Sequence, residues 1–272
     1  MPDLATEPLK AGVKAFWNRG SCETNHARSQ KFSREYFEEI ERQRYAAQPF
    51  IHSFAQFTRY HGKRVLEVGF GAGTDFVQWL RAGAIAYGID LTEEALANLT
   101  NRIEVYGLPK PGLIQVGDAE NLPFESNSFD LGYSYGVLHH TPNTEKAIGE
   151  LVRVVRPGGE IKIMLYNRHS LNALNLWLKF ALLKGRPWKS FHWVLWNHQE
   201  NICTKAYTKG EVRQLLSSLK MKDIQVRAVM MDTNFGMGYS GFSRLVRLLA
   251  RFPIRFTESW WGWNLLISAR KS

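Results

Sequence analysis

The chain has few cysteines. Only two of its 272 residues are cysteine, Cys22 and Cys203. Two thiols cannot build the disulfide framework that stabilises small secreted domains, and a chain of this length can bury a hydrophobic core without one. This scarcity predicts a protein of the reducing cytoplasm, formed by one large domain or by one domain with an added segment.

The sequence also lacks a long hydrophobic run. No apolar stretch approaches the roughly 20 residues that cross a bilayer as a helix. Residues 1–14 contain no apolar segment of the kind found in secretory signal peptides, so we expect no cleaved leader. Hydrophobic residues still make up 44% of the chain and aromatic residues 13%. That content is sufficient for a packed core and predicts order except at the ends.

Spacings that bind a metal ion are absent. The eight histidines and two cysteines form no His-x-His or Cys-x-x-Cys pair. Such pairs are typical of zinc and other transition-metal sites. The sequence therefore predicts no metal site, and chemistry that depends on a bound metal ion is not expected.

Charge is distributed unevenly along the chain. Lys and Arg number 15 against 19 Asp and Glu in residues 1–152, but 20 against 6 in residues 153–272, and the formal net charge is +10. A basic half can bind nucleic acid, an anionic membrane surface or an anionic substrate. It can equally be a hydrated surface that keeps the protein soluble. Composition does not distinguish between these interpretations.

The sequence RVLEVGFGAG ends an apolar strand and crosses a glycine-rich turn. Gly69, Gly71 and Gly73 alternate with other residues, and glycine fits where the backbone turns tightly and a ligand comes close. A dinucleotide-binding turn requires its third glycine where Thr74 stands, so the pattern differs from that fingerprint. Asp90 follows at the end of a second apolar run, where a carboxylate can accept hydrogen bonds from both ribose hydroxyls. The arrangement predicts a nucleotide-type binding site.

Four further motifs follow in order: LIQVGDAENLPF, SFDL, YGVLHHTP and LVRVVRPGG. In order and spacing, the five motifs resemble those of the class I S-adenosylmethionine-dependent methyltransferases, in the type 11-like branch that modifies quinones and small molecules. The resemblance covers about residues 64–166. It implies a doubly wound, seven-stranded Rossmann-like α/β sheet, mostly parallel with a C-terminal antiparallel hairpin, and S-adenosylmethionine as the cofactor.

Short apolar runs alternate with helical periodicity, which predicts βαβ units and a parallel sheet. The predicted strands are Val65–Val68, Ala84–Ile89, Leu113–Val116, Leu131–Tyr135, Ile161–Leu165, Val226–Met230 and Asn264–Ala269. The predicted helices are Gly73–Arg81, Glu93–Tyr106, Thr144–Val155 and one that a capping box at Thr208 opens. The box pairs a threonine with a glutamate three positions later.

Two regions lie outside this alternation. Amphipathic periodicity over residues 32–60 predicts helices before the core, so we interpret residues 1–62 as a helical arm and 63–170 as the cofactor-binding core. Residues 171–203 hold four tryptophans and many leucines. An insertion at this place in the fold lies above the carboxyl ends of the strands, where ligands bind. We expect it to be a helical lid over the acceptor, with residues 204–272 completing the core.

The resemblance implies cofactor contacts at the carboxyl ends of the first strands. Glu67 is expected to orient the turn and reach the ammonium group of the methionine portion, Asp90 to hold the ribose hydroxyls, and Asp118 to accept from the adenine amino group. The other expected contacts are Gly69, Phe70, Gly71, Gly73, Leu91, Ala119 and Tyr135. Asp90 could instead cap the helix that Thr92 opens, and Asp118 could be a turn residue.

Methyl transfer requires an aligned nucleophile, and some nucleophiles must also lose a proton. The candidate catalytic residues are Tyr135, at the end of the fourth strand, and His139 and His140, because imidazole titrates near neutrality. A structural role for the Leu-His-His segment at the start of the next helix remains an alternative.

Candidate acceptor contacts come from two places. Tyr166 and Asn167 leave the fifth strand at the same rim. A polar cluster precedes the capping box, and from it His198 and Tyr207 are expected to contact the acceptor. The cluster consists of His198, Glu200, Cys203, Lys205 and Tyr207. It could equally anchor the lid.

Together these features predict an enzyme that transfers a methyl group from S-adenosylmethionine to a small-molecule acceptor, with a hydroxyl or a thiol as the favoured nucleophile. Three alternatives remain: a lipid or quinone methyltransferase at a membrane surface, a nucleic-acid methyltransferase, and a cofactor-binding module without catalysis. Basic and aromatic residues mix over residues 177–189, as they do in membrane-surface helices. The absence of an RNA-binding module and of an Asn-Pro-Pro-Tyr or Asp-Pro-Pro-Tyr tetrad argues against nucleic acid. The acceptor and the oligomeric state stay open.

Overall fold

A seven-stranded sheet organises the computed structural model, which describes residues 6–200, 203–230 and 259–272. The strands are β1 (Arg64–Val68), β2 (Ile85–Asp90), β3 (Leu113–Val116), β4 (Phe129–Tyr135), β5 (Val155–Tyr166), β6 (Met221–Val229) and β7 (Asn264–Lys271). Their order is β3-β2-β1-β4-β5-β7-β6. Strands β1 to β5 are parallel, and β7 is antiparallel to both β5 and β6. The predicted doubly wound sheet with an antiparallel hairpin is confirmed.

Helices precede, connect and follow these strands. They are α1 (Thr6–Trp17), α2 (Arg34–Ala47), α3 (Ile51–Ala55), α4 (Phe76–Arg81), α5 (Glu93–Tyr106), α6 (Thr144–Val154), α7 (Leu171–Phe180), α8 (Phe191–His198) and α9 (Lys209–Ser218). The capping box predicted at Thr208 is formed with Glu211. In the described ranges, no helix combines the length and the apolar character needed to cross a membrane.

Both faces of the sheet are buried. Side chains alternate along a strand, so neighbouring residues of β1 face opposite layers. Val65 lies in the hydrophobic cluster that contains Trp79 of α4. Leu66 lies in a second cluster, which contains Leu151 of α6 and Leu216 of α9. Helices on both faces are typical of parallel sheets, and they leave only the strand ends open for a site.

Strand β5 begins at Val155 rather than at the predicted Ile161. Val155 pairs with Phe129, and the register then shifts across the Pro-Gly-Gly segment before pairing resumes at Glu160. A Cβ on Gly159 would lie 2.9 Å from a backbone carbonyl oxygen. The strand therefore contains an irregularity of the kind that glycine permits, which apolar periodicity alone does not reveal.

The N-terminal arm packs on the carboxyl-terminal edge of the sheet. Helix α2 buries Phe37 and Ile40 completely. Helix α1 lies in the predicted arm but before the amphipathic stretch 32–60, and it is tied to the core by ion pairs of Lys14 with Glu93 (2.5 Å) and of Lys10 with Asp118 (2.6 Å). The arm therefore reaches the strand ends where ligands bind in this type of sheet.

Lys162 is a buried lysine in the middle of β5. Only 3% of the residue is exposed. Its ammonium group donates to the carbonyl oxygens of Phe54 (2.8 Å) and Ala55 (3.0 Å) and to Gln56 Oε1 (2.8 Å). These bonds satisfy its three donors and hold the end of α3 on the sheet. Burial lowers the pKa of Lys162 to about 8.

We predict that Lys162 makes stability rise with pH in the alkaline range. Above about pH 8 the folded protein has released a proton that the unfolded chain keeps up to the ordinary pKa of 10.5. The free energy of unfolding therefore increases between these values. Urea unfolding at about pH 7 and about pH 10 should favour the wild type over Lys162→Met by roughly 2 kcal/mol more at the higher pH. A difference that stays constant with pH would contradict the lowered pKa.

Candidate active site

A cavity of about 330 Å³ lies at the carboxyl ends of the central strands. The strand order reverses between β1 and β4, and open α/β sheets bind ligands at such a switch point. The volume is in the range of small-molecule sites. The predicted site residues that line it are Glu67, Gly69, Phe70, Gly71, Asp90, Leu91, Asp118, Ala119, Tyr135, His140 and Tyr166. The fold thus gathers most of the predicted cofactor contacts in one place.

Each of the three positions in the turn requires glycine for a different structural reason. Gly69, Gly71 and Gly73 have φ values of 81°, 51° and 74°, which favour glycine. A Cβ on Gly69 would lie 2.2 Å from Val137, and a Cβ on Gly73 would lie 2.8 Å from Leu99. A Cβ on Gly71 would meet no atom within 4 Å and would occupy cavity space. Gly71 therefore leaves room for a ligand, whereas Gly73 does not line the cavity and instead lets α5 pack against the turn.

Asp90 holds the glycine turn from the end of β2. Its Oδ2 accepts from the backbone N–H of Gly71 (3.0 Å), and its Oδ1 accepts from the backbone N–H (3.0 Å) and hydroxyl (2.9 Å) of Thr92. The cap of α5 is Thr92 itself, which accepts from the backbone N–H of Ala95. Burial raises the pKa of Asp90, and these donors oppose the rise. Asp90 therefore holds the capping residue Thr92 in place but does not itself cap α5, and its carboxylate faces the cavity.

Glu67 lies at the base of the cavity and is 3% exposed. The indole N–H of Trp79 donates to its Oε2 at 2.9 Å. Burial, and then the neighbouring charge of Asp75, raises the pKa of Glu67 well above its ordinary value. Both effects oppose ionisation of this carboxyl group.

Asp118 contacts the N-terminal arm. The Nζ of Lys10 lies 2.6 Å from Asp118 Oδ2 and 3.0 Å from Glu120 Oε2. Burial acts to lower the pKa of Lys10, but the two carboxylates outweigh it and raise that pKa. Helix α1 therefore covers the end of the cavity where the resemblance places adenine. The sequence offered no signal for this pair, whose members are 108 positions apart.

Arg44 and Asp75 form a buried ion pair in the cavity wall. Arg44 Nε and Nη2 donate to the two oxygens of Asp75 at 3.0 and 2.6 Å, and Nη1 donates to Glu23 at 3.0 Å. Tyr133 also donates to Asp75, at 2.8 Å. Burial would raise the pKa of Asp75, but Arg44 and these donors lower it. Sequence reasoning missed both residues, although a carboxylate in an otherwise apolar helix start was a usable signal for Asp75.

Tyr135 shapes the cavity wall at the end of β4. Its hydroxyl donates to Gln48 Oε1 at 2.5 Å, and the guanidinium of Arg44 lies 5.0 Å from its ring centroid. Burial raises the pKa of Tyr135 further above its ordinary alkaline value. The phenol therefore stays protonated near neutral pH, which does not suit the role of a base.

Only one of the two adjacent histidines reaches the cavity. His139 is fully buried, does not line the cavity and packs on Tyr166 with ring centroids 4.0 Å apart. Burial lowers the pKa of His139 well below its ordinary value. His140 does line the cavity, with Nδ1 3.1 Å from Thr204 Oγ1 and Nε2 3.2 Å from Glu200 Oε2. The expected proton chemistry can therefore fall on His140 but not on His139.

Glu200 is the carboxylate beside His140. It also accepts from the Tyr166 hydroxyl at 2.9 Å and from Gln199 Nε2 at 3.2 Å. Burial acts to raise its pKa, but His140, Tyr166 and Gln199 outweigh that effect and lower the pKa of Glu200. The carboxylate is therefore ionised near neutral pH. Sequence reasoning placed Glu200 in a polar cluster but could not identify its partner.

Three predicted acceptor contacts lie away from the cavity. The side chain of Asn167 donates to the carbonyl oxygen of Gly262 at 2.8 Å, and its backbone forms a bridge with Tyr207. His198 stacks on Phe180 with centroids 4.2 Å apart. Asn167 and Tyr207 join chain segments. His198 lies on the surface of residues 171–200, which contain α7 and α8 and which we call the α7–α8 excursion.

The cavity is covered mainly by the N-terminal arm. From the predicted lid, Gln199 and Glu200 reach the cavity, but the four tryptophans do not: these are Trp177, Trp188, Trp193 and Trp196. The arm contributes Lys10, Val13, Trp17, Ser21, Cys22, Glu23, Arg44 and Gln48. Residues 201–202 of the predicted lid and 231–258 of the predicted C-terminal part lie outside the described residues. Across the described part of the chain, no group of three or more His, Cys, Asp or Glu could hold a metal ion.

Known proteins match part of this chain. Residues 66–163 match a family described as a methyltransferase domain. The chain is 37% identical over 110 residues to phthiotriol/phenolphthiotriol dimycocerosates methyltransferase 1 of Mycobacterium ulcerans (strain Agy99). The matched region covers 40% of this chain and 39% of that protein. It is 34% identical over 103 residues to phosphatidylethanolamine N-methyltransferase of Cereibacter sphaeroides. This matched region covers 38% of this chain and 50% of that protein. The chain thus spans between about two fifths and half of the length of these relatives.

The fold is also similar to a solved structure, that of an S-adenosylmethionine dependent methyltransferase from Mesorhizobium loti. The TM-score is 0.57 at 20% identity, over 83% of this chain and 98% of that one. Sheet order, glycine turn and family match together define the class: residues 66–163 form a methyltransferase domain of the class I, S-adenosylmethionine-dependent kind. The cofactor of this domain is S-adenosylmethionine. The residues present fit it, because Gly71 leaves cavity space beside the Asp90 carboxylate.

We predict that Asp90→Ala weakens S-adenosylmethionine binding by about 1–3 kcal/mol, because ribose hydroxyls lose a charged partner. Calorimetry should show the same loss for S-adenosylhomocysteine, which shares the ribose. Thr92→Ala is the matched control, since it removes the cap of α5 and one donor to Asp90 but keeps the carboxylate itself, which the backbone N–H groups of Gly71 and Thr92 still hold. The control should lose stability but keep most of its affinity. Equal affinity losses in both variants would show that Asp90 acts only through the cap.

A second prediction separates the glycines of the turn. Gly71→Ala should weaken cofactor binding with a modest loss of stability, on the order of 1–2 kcal/mol for the positive φ, because its Cβ enters cavity space. Gly69→Ala should lower the melting temperature much more, because its Cβ overlaps Val137. Thermal melting and cofactor titration of both variants test this. Native cofactor affinity in folded Gly71→Ala would place the cofactor elsewhere.

Proposed function

We propose that the domain transfers a methyl group to a hydroxyl or thiol of a small-molecule acceptor. One observation carries the proposal: a single cavity holds both the glycine turn with Asp90 and the His140–Glu200 pair. Bound S-adenosylmethionine supplies an electrophilic methyl group on a sulfonium. What the acceptor then needs is a site beside that group and, for a hydroxyl, an acceptor for its proton.

The sheet suggests how the cavity is divided. The predicted cofactor contacts Glu67, Asp90 and Asp118 lie at or just after the ends of β1, β2 and β3, on one side of the switch point. Tyr135 and Tyr166 end β4 and β5 on the other side. We therefore assign the β4–β5 side of the cavity to the acceptor.

The walls on this side favour an acceptor with an apolar or aromatic body. Trp263 stacks on Tyr166 with centroids 4.2 Å apart, and Trp17 of α1 packs edge-on against His140 at 5.4 Å. Met164 and Tyr135 complete this part of the lining. Aromatic surfaces bury apolar area and exclude water, which strengthens the electrostatic interactions of the few polar groups among them.

We assign to His140 the role of accepting the proton that the methyl acceptor loses. When its Nδ1–H donates to Thr204 Oγ1, the Nε2 lone pair can take the proton of the acceptor. The Glu200 carboxylate, 3.2 Å from Nε2, then stabilises the imidazolium. Tyr166 and Gln199 hold Glu200 in place by donating to it. In this scheme Glu200 is a positioning residue and His140 is the base.

A lipid acceptor is the second candidate. The two relatives described above are named for dimycocerosates and for phosphatidylethanolamine, and both substrates are lipids. Their matches cover less than half of this chain, so the acceptor of those proteins does not transfer directly. The candidate is supported by exposed apolar and basic side chains in the α7–α8 excursion, which also ends at the cavity.

Turnover tests the proposal. Formation of S-adenosylhomocysteine should be measured with panels of phenols, alcohols, thiols, amines, quinols and phospholipids. Methylation of a hydroxyl or thiol compound is the expected result. Methylation confined to amines would contradict the proposed nucleophile, and the absence of turnover with every panel would favour the non-catalytic alternative.

We predict that His140→Gln lowers kcat at least about 100-fold for a hydroxyl acceptor, the usual contribution of a general base, while cofactor affinity stays unchanged. Glu200→Gln should lower kcat less, and the loss should shrink as the pH rises, because the acceptor then ionises without help. His198→Gln is the matched control, since that histidine lies outside the cavity. If the His140 and His198 variants turn over equally, His140 is not the base.

A further inference from the structure

The turn between α7 and α8 exposes several apolar side chains together. We call residues 179–189 the α7–α8 tip. Leu183 is 79% exposed, Trp188 74% and Leu182 44%. Single exposed apolar residues are ordinary on a protein surface. Three in one short turn form a patch of the kind that marks an interaction surface.

Basic residues surround this patch. The tip contains Lys179, Lys184, Arg186 and Lys189, and no Asp or Glu occurs between residues 171 and 199. The ammonium groups of Lys179 and Lys189 lie over the rings of Phe180 (4.9 Å) and Trp193 (4.4 Å). The aliphatic parts of such side chains cover apolar surface while their charges stay in water. The tip is therefore both apolar and positively charged.

Backbone hydrogen bonds order the tip. The backbone N–H groups of Lys184 and Arg186 donate to the carbonyl oxygen of Ala181 at 3.2 and 2.9 Å. The indole N–H of Trp177 donates to the carbonyl oxygen of Lys189 at 2.7 Å and joins the two sides of the turn. These bonds hold the turn in the conformation in which Leu183 and Trp188 are exposed.

We propose that the α7–α8 tip docks on an anionic lipid bilayer. Leucine and tryptophan side chains insert at the boundary between head groups and acyl chains, and lysine and arginine lie at the level of the anionic head groups. A single-stranded nucleic acid would use the positive charges and stack a base on Trp188, but it would leave Leu182 and Leu183 in water. A bilayer would contact both the basic and the apolar side chains of the tip.

The excursion connects this surface to the cavity. Helix α8 buries Val194 and Leu195 in the protein, and the residues that follow it, Gln199 and Glu200, line the cavity. The segment that contacts the bilayer would therefore also supply part of the acceptor side of the cavity. Bilayer binding itself needs neither cofactor nor acceptor, so its test does not depend on the proposed reaction.

Vesicle co-sedimentation tests the proposal. The wild-type protein should pellet with vesicles of mixed phosphatidylcholine and phosphatidylglycerol but not with phosphatidylcholine alone. Lys184→Glu with Arg186→Glu should lower the apparent affinity at least about tenfold, since each basic side chain near an anionic surface contributes about 1 kcal/mol. Leu183→Ser with Trp188→Ser should also weaken binding, because it removes the apolar contact and keeps the charge.

The matched control reverses two charges elsewhere. Lys110 and Lys222 are exposed near the amino ends of β3 and β6, at the edge of the sheet opposite the cavity. Lys110→Glu with Lys222→Glu should keep nearly full binding. An equal loss of binding in this control would show that only the net charge of the protein matters, and it would overturn the proposal. A wild-type protein that stays in the supernatant with anionic vesicles would overturn it as well. Cofactor titration of every variant shows that each is folded, independently of turnover.

Discussion

The buried ion pair between Arg44 and Asp75 joins the N-terminal arm to the glycine turn, and the geometry of the cavity depends on it. Removing either partner would leave an uncompensated charge in the protein interior, which is strongly destabilising. Tyr133 of β4 donates to the same carboxylate. A helix of the arm, the turn after β1 and a neighbouring strand are therefore fixed to one another by a single group.

The cavity is closed by segments that are distant in the sequence. At one end, Lys10 of α1 lies against Asp118 after β3. At the other end, Glu200 reaches His140 and Tyr166 from the far side of the α7–α8 excursion. Between them, Cys22 and Glu23 of the arm complete the wall. A methyl acceptor bound in this space would be enclosed on several sides, which favours a reaction sheltered from water.

The aromatic content of the segment after β5 predicts a lid over the acceptor. Its tryptophans do not line the cavity, and Trp188 is 74% exposed. Aromatic content alone cannot distinguish a lid from an interaction surface, because both require apolar side chains that are not in the core. The direction in which each side chain projects decides between them, and that direction is a property of the assembled fold.

The sequence by itself determined what depends on near neighbours in the chain. Alternating strands and helices, the glycine turn, the full extent of α5 and the capping box at Thr208 follow from local periodicity and short-range hydrogen bonding. Tertiary structure alone decided which glycine leaves room for a ligand, which of His139 and His140 faces the cavity, and that α1 and Arg44 contribute to it. These outcomes rest on contacts between residues tens of positions apart, such as Lys10 with Asp118, and local patterns carry no information about such contacts.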